Sequence, residues 1–208
     1  MHFLDQKIQF PHLSEASEDG LLAIGGDLSL ERMIHAYQSG IFPWYEEGGP
    51  ILWWSPDPRF VLFPEDLKVS KSMRSLMRKN LFSVTVNRSF REVILQCARI
   101  KREDQRGTWI TAEMIDAYLT LYQNDFARSY EVWRDGKLVG GLYGVDLGNG
   151  VFCGESMFAL ESNTSKLAFI TMVQSGDYRL IDCQLHTSHL ESLGAKNIPR
   201  GEYLKLIM

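Results

Sequence analysis

The sequence predicts an α+β fold, a small N-terminal unit over residues 1–62 joined to a larger mixed-sheet unit over residues 63–208. Three observations carry this. Up to Arg59 the chain is dense in glycine and aromatic residues set in short apolar stretches. Beyond Leu62 helical spacing takes turns with strand-like alternation, the rhythm of a mixed sheet packed on helices. At 208 residues the chain can bury one substantial core with a small satellite.

Taken in order, Asp27-Leu28-Ser29 opens the first helix, with Ser29 at the N-cap and Glu31 in the first turn, where negative charge suits the helix dipole. Leu30, Met33, Ile34 and Tyr37 share one face, and Gly40 supplies the stop. Ile41 to Tyr45 and Ile51 to Trp54 are apolar stretches, after which Ser55-Pro56-Asp57-Pro58 forbids helix or central strand. Ser70 caps a helix that turns Met73, Leu76 and Met77 inward and Lys71, Arg74 and Arg78 outward. Phe82 to Val86 alternates like a strand, and Ser89-Phe90-Arg91-Glu92 is a capping box that opens another helix. Thr111 caps the next, with Met114, Ile115, Tyr118, Leu119 and Tyr122 inward. Asp135-Gly136 between two strand patterns signals a hairpin. Val151 to Cys153 is a strand, Ser165 to Ser175 a helix, Arg179 to Gln184 a strand and Ser188 to Leu193 a helical turn. Tyr203 to Met208 reads as a short apolar end.

Composition removes several classes of function. No apolar run approaches the ~20 residues of a membrane helix, and Met1 to Glu18 lacks the charged and apolar regions of a secretory signal. Cys97, Cys153 and Cys183 follow no metal or CxxC spacing and suit a reducing cytoplasm as buried free thiols. His186-x-x-His189 lacks the partners of a tetrahedral set, so no metal is expected. There is no phosphate-cradling Gly-x-x-x-x-Gly-Lys loop and no Gly-x-Ser-x-Gly elbow. The net charge is -4, yet residues 68–106 hold eleven Lys and Arg against three acids. That concentration reads either as one face built for a polyanion or as solvated helix faces whose bases pair elsewhere.

Two runs stand out as a ligand site: Trp53-Trp54-Ser55-Pro56-Asp57-Pro58-Arg59 and Gly154-Glu155-Ser156-Met157-Phe158. Each sets bulky apolar side chains beside a few polar groups, the build of an apolar slot with aimed hydrogen-bonding groups. Strand alternation puts Glu155 and Met157 on one face, Ser156 and Phe158 on the other. A buried carboxylate there either binds a cation or satisfies a structural network. In Ile181-Asp182-Cys183-Gln184, Asp182 and Gln184 fall on one side, so the carboxylate can orient the amide, or both simply face water.

Read together and in order, these runs resemble the bacterial leucyl/phenylalanyl-tRNA–protein transferases. The resemblance starts at Gly20-Leu21-Leu22-Ala23-Ile24-Gly25-Gly26-Asp27-Leu28 and Gly40-Ile41-Phe42-Pro43-Trp44, and continues through the Trp53 to Arg59 run and Thr108-Trp109-Ile110. It goes on through Glu131-Val132-Trp133, the Gly154 run and Ile181 to Gln184, ending at Ser192-Leu193-Gly194-Ala195 and Ile198-Pro199-Arg200. It implies an acetyltransferase-like (GNAT-like) second unit and a cofactor-free, ATP-independent aminoacyltransferase. The donors would be Leu-tRNA and, less readily, Phe- or Met-charged tRNA. The acceptors would be proteins beginning with Arg or Lys, marked thereby for N-end rule degradation. By the same resemblance Asp182, Gln184 and Glu155 are the catalytic positions, and Trp44 and Trp109 line the aminoacyl-adenosine site. Leu142, Phe152, Met157, Phe169 and Met172 would form the side-chain pocket, and Lys71, Arg74, Arg78 and Lys79 would meet the tRNA. The rival class, an N-acyltransferase using an acyl-thioester, wants an Arg/Gln-x-x-Gly-x-Gly/Ala phosphate cradle that the sequence lacks.

Overall fold

The change of rhythm in the sequence becomes a change of sheet. A computed structural model describes residues 2–100 and 109–208; Met1, Thr108 and, from the basic segment, Lys101, Arg102 and Arg106 lie outside the described residues. The first sheet has four short strands, β1 (His2–Leu4), β2 (Leu21–Gly25), β3 (Phe42–Pro43) and β4 (Leu52–Trp54), in the order β1-β2-β4-β3. Helix α1 (Leu30–Gln38) follows β2 and buries Met33, Ala36 and Tyr37. Ser29 stands at its N-cap but makes no side-chain capping bond; its own amide is held by Asp27 Oδ1 at 2.9 Å. Gly40 does end the helix, at φ 76°, where a Cβ would meet Leu204 Cδ2 at 2.8 Å.

The second sheet has seven strands in the order β11-β5-β10-β9-β8-β7-β6. In chain order these are β5 (Arg59–Leu62), β6 (Ser83–Val86), β7 (Ala127–Arg134), β8 (Lys137–Asp146), β9 (Val151–Ala159), β10 (Leu180–Gln184) and β11 (Lys196–Ile198). All neighbours are antiparallel except β9 and β10. Helices cover both faces. On one lie α3 (Phe90–Arg99) and α4 (Ala112–Gln123), joined by α1 and by α7 (Arg200–Ile207) in a shared core with Cys153 and Phe158. On the other lie α2 (Lys71–Arg78) and α5 (Thr164–Gln174), packed with Phe152, Met157 and Ile181. Each large apolar side chain buried in these layers contributes roughly 1.5–3 kcal/mol.

Local signals mostly hold. Ser70 Oγ accepts the Met73 amide and Thr111 Oγ1 the Met114 amide, each at 3.2 Å. Asp135 and Gly136 take φ 49° and 75°, the paired left-handed geometry of a tight hairpin turn. Two expectations are corrected. The capping box at Ser89 does not form: Ser89 makes no side-chain cap, and its amide goes to Glu131 Oε1 at 3.4 Å. Glu131 is buried on β7 and collects amides and hydroxyls from across the sheet, so a long-range acceptor replaces the local one. The short apolar end from Tyr203 is part of a helix that begins earlier, α7, whose Leu206 and Ile207 carbonyls accept from Arg179 (2.6 Å) and Asn149 (2.8 Å). Among the described residues no helix is long and apolar enough to cross a membrane.

Candidate functional site

The parallel pair β9/β10 runs in register from Leu180↔Val151 to Asp182↔Cys153 and then parts. At this split lies a cavity of about 480 Å³, within the range of small-ligand sites. Its apolar wall includes Leu142 from β8, Phe152 and Met157 from β9, and Phe169 and Met172 from α5. Trp109, ahead of α4, and Trp44, just past β3, also line it; Trp44 is 37% exposed and its ring lies 5.7 Å from that of Trp54. Glu155, Asp182 and Gln184 complete the polar side. Residues from Phe42 to Leu190 meet in one hollow because both sheets contribute walls: Phe42, Pro43 and Trp44 come with the small one.

Strand alternation misplaces the two central polar groups, for one reason in both strands. In the β8/β9 ladder Tyr143 faces Ser156 and Gly144 faces Gly154, so Glu155 is an extra, bulged residue. The bulge turns Glu155 away from Met157: Met157 packs on the α5 side, whereas Glu155 bonds tyrosines of α1 and α4. In β10, Asp182 faces Val61 and Gln184 faces Phe60, which makes Cys183 the extra residue. Gln184 sits at φ 62°, a conformation that side chains rarely adopt. Its side-chain amide therefore bonds Glu155 rather than the Asp182 side chain. Gln184 Nε2 donates to Glu155 Oε1 at 2.8 Å, and only its backbone N–H meets Asp182, at Oδ1 (2.9 Å).

Glu155 is ringed by neutral donors. The Tyr37 hydroxyl gives to Oε1 at 2.7 Å and the Tyr118 hydroxyl to Oε2 at 2.6 Å, with the two hydroxyls 2.7 Å apart. Burial pushes the Glu155 carboxyl up to about 7; the tyrosine and Gln184 hydrogen bonds oppose this, and the negative charge of Asp182 adds to it. Burial, with the Glu155 carboxylate nearby, holds both tyrosines well above their ordinary range, so they remain donors.

Asp182 is fully buried and meets a charge. Arg59 Nε donates to Oδ1 at 2.8 Å and Nη2 to Oδ2 at 2.7 Å, a bidentate fork, and the Tyr203 hydroxyl adds 2.8 Å to Oδ2. Arg59, itself 1% exposed, lies between the rings of Phe42 (4.8 Å) and Tyr203 (4.7 Å). Burial works against its charge, but the Asp182 carboxylate prevails and holds the guanidinium above its ordinary range. None of the Trp53 to Arg59 run lines the cavity; sequence reading gave Arg59 no role beneath Asp182 and missed Tyr37, Tyr118 and Tyr203 as site residues. The available signal was an arginine opening a four-residue strand whose every position is buried, where an unpaired cation is untenable.

Cys183 also lines the cavity, but burial and then Asp182 push its thiol up, which leaves no thiolate for attack. Among the described residues no group of three His, Cys, Asp or Glu is placed to hold a metal. Lys71, Arg74, Arg78 and Lys79 are exposed on and just after α2 and do not line the cavity. The α2 segment is tied to its rim through the Lys68 amide, 2.8 Å from the Leu193 carbonyl, near the lining residue Leu190.

Residues 61–208 match the family model described as leucyl/phenylalanyl-tRNA protein transferase, and residues 26–57 match the model of that family's N-terminal domain. The leucyl/phenylalanyl-tRNA–protein transferase of Flavobacterium johnsoniae is 56% identical over 210 residues, covering 100% of this chain and 99% of that protein. That of Syntrophus aciditrophicus is 56% identical over 207 residues, covering 98% of this chain and 86% of that protein. The chain belongs to this family. Members of the leucyl/phenylalanyl-tRNA protein transferase family are aminoacyltransferases, and the cavity, both bulges and the carboxylates all lie inside the matched residues. Among solved structures, a Bacteroides thetaiotaomicron protein of unknown function gives a TM-score of 0.45 at 14% identity, covering 72% of this chain and 53% of that one. A GCN5-related N-acetyltransferase from Kribbella flavida gives 0.39 at 13%, covering 78% and 58%. This chain spans a little over half of each, and neither carries an inference about substrate.

Proposed function

We propose that the protein moves a leucyl group, and less readily phenylalanyl or methionyl, from aminoacyl-tRNA to the α-amino group of proteins that begin with Arg or Lys. The product is marked for N-end rule degradation in the cytoplasm. One observation carries the reading: an apolar cavity of side-chain size opens directly onto the hydrogen-bonded pair Gln184 and Glu155. The ester of a charged tRNA is already activated, so the amine nitrogen attacks the carbonyl carbon and the bond to the ribose oxygen breaks. A proton passes from the amine to that oxygen. Positioning alone lowers such a barrier substantially, which fits a site with neither nucleotide loop nor reactive thiol.

In this scheme Leu142, Phe152, Met157, Phe169 and Met172 receive the aminoacyl side chain, with flexible methionines adapting to aliphatic and aromatic guests. Trp44 and Trp109 take the terminal adenosine. Gln184 donates its Nε2–H to Glu155 and so leaves its amide oxygen to accept from the attacking amine. Glu155 favours an acceptor whose first side chain is cationic, and Asp182 anchors the β10 bulge. Lys71, Arg74, Arg78 and Lys79 hold the tRNA backbone by counterion release. The two-unit division belongs to the same proposal, with the small sheet walling the site and the larger sheet performing transfer. The sheets change between Trp54 and Arg59, so β5 pairs within the second unit and the division expected after residue 62 moves ahead of it.

The test is direct. Incubated with charged Leu-tRNA and an Arg-initiated peptide in the absence of ATP and of any acyl-thioester, the protein yields a Leu-extended peptide. An unextended peptide under these conditions, with the tRNA still charged, overturns the reading.

A further inference from the structure

Gln184 reaches Glu155 only because β10 is bulged at Cys183 and its backbone turns left-handed, a turn closed locally by the Leu185 amide on the Cys183 carbonyl at 2.7 Å. What holds that turn in place lies beneath it. All four donors to Asp182 come from fixed points: the Arg59 fork, the Tyr203 hydroxyl and the Gln184 backbone amide. Arg59 is itself clamped, with Nη1 3.3 Å from the Gly40 carbonyl and its plane between Phe42 and Tyr203. Tyr203 rides on α7, a helix secured at both ends. At its start the Arg200 amide meets Asp57 Oδ1 at 3.0 Å and Arg200 Nη1 meets the Ser55 carbonyl at 2.6 Å. At its end Arg179 and Asn149 take the last carbonyls.

We propose that Arg59 and Tyr203 are positioning residues that set the aim of Gln184. They fix the Asp182 carboxylate, the carboxylate fixes the Gln184 amide nitrogen of the backbone, and the bulge so held points the side-chain amide at Glu155. A bidentate fork is needed for this and a point charge is not enough, because the carboxylate must be fixed in rotation as well as in place. The proposal rests on the transferase reading for its kinetic arm only; the geometry of Gln184 is measurable without any substrate.

Arg59→Lys keeps the charge and loses the fork, and Tyr203→Phe keeps the ring over Arg59 and loses one hydroxyl. In Arg59→Lys, kcat for Leu transfer falls about 10²-fold, the scale of a displacement of about an ångström, while KM for charged tRNA stays within about twofold. In Tyr203→Phe the same split appears, at a few-fold. In both variants the Gln184 side-chain amide resonance, assigned by its disappearance in Gln184→Ala, moves away from its hydrogen-bonded position. Variants with lower thermal midpoints but unchanged kcat and an unmoved Gln184 resonance overturn the proposal. Should Arg59→Lys not fold, Tyr203→Phe alone decides. A wild type with an intact Gln184–Glu155 signal but no transfer overturns the transferase reading instead.

Discussion

Two carboxylates on neighbouring strands, 27 positions apart in the sequence, are enclosed by the same fold and meet opposite surroundings. Asp182 is paired to a guanidinium through two short bonds and lies at 0% exposure. Glu155 has donors of similar length, but all are neutral: two phenols and an amide. Hydrogen bonds from neutral groups only partly offset burial, so the Glu155 carboxyl rises to about 7. Similar hydrogen bonding therefore goes with different electrostatic surroundings: Asp182 has a full positive charge against it, and the donors to Glu155 carry none. One carboxylate is tied into a buried ion pair, and the other is a group poised to exchange a proton near neutrality.

The largest effect should come from making Asp182 resemble Glu155. Arg59→Ala leaves a buried carboxylate without its counter-charge and should cost about 3–5 kcal/mol in urea unfolding; a loss below about 1 kcal/mol would show that the pair does not need the cation. Cutting the link between the two carboxylates comes next. Gln184→Ala should lower kcat for Leu transfer by about 10²-fold with the unfolding midpoint little changed, as expected for a polar group aimed at the reacting atoms. Near-normal turnover would remove Gln184 from the chemistry.

Glu155 itself makes a pH prediction. Its folded carboxyl at about 7 holds the proton more tightly than the ordinary 4.5 of the unfolded chain. Its contribution to stability is therefore fully present below about pH 4.5 and is lost as pH rises through about 7. Glu155→Gln should flatten that part of the stability profile and be about 1–3 kcal/mol more stable than wild type at pH 8. Parallel profiles would refute the comparison. The smallest effect lies outside both carboxylates. Lys71, Arg74 and Arg78 changed together to Glu should raise KM for tRNA about tenfold and reduce its salt slope by about 2, with the pH profile of kcat unmoved.

Much of this was legible in the residues. The hairpin at Asp135-Gly136 and the caps at Ser70 and Thr111 are local, and local chemistry decided them. The cavity residues were legible through the family's motifs, and all ten candidates from Trp44 to Gln184 line it. The facing of Glu155 and Gln184 was not, because a bulge is a property of two paired strands and leaves no mark in either one alone. The pairing of Arg59 was hidden for a similar reason: its partner is 123 residues away. The failed capping box at Ser89 makes the same point, since Glu131, 42 residues on, outcompeted Glu92 for its amide.

The guanidinium under Asp182 also bears on what an RNA end would encounter in the proposed reaction. Without Arg59, the bottom of the hollow would present two acidic groups to a ligand that carries a negative phosphate at every nucleotide. With it, one acid is paired with a buried cation and the carboxyl of the other is pushed up by burial to about 7. The hollow is thus close to electroneutral, polar enough to guide an amine and yet no obstacle to an anionic chain.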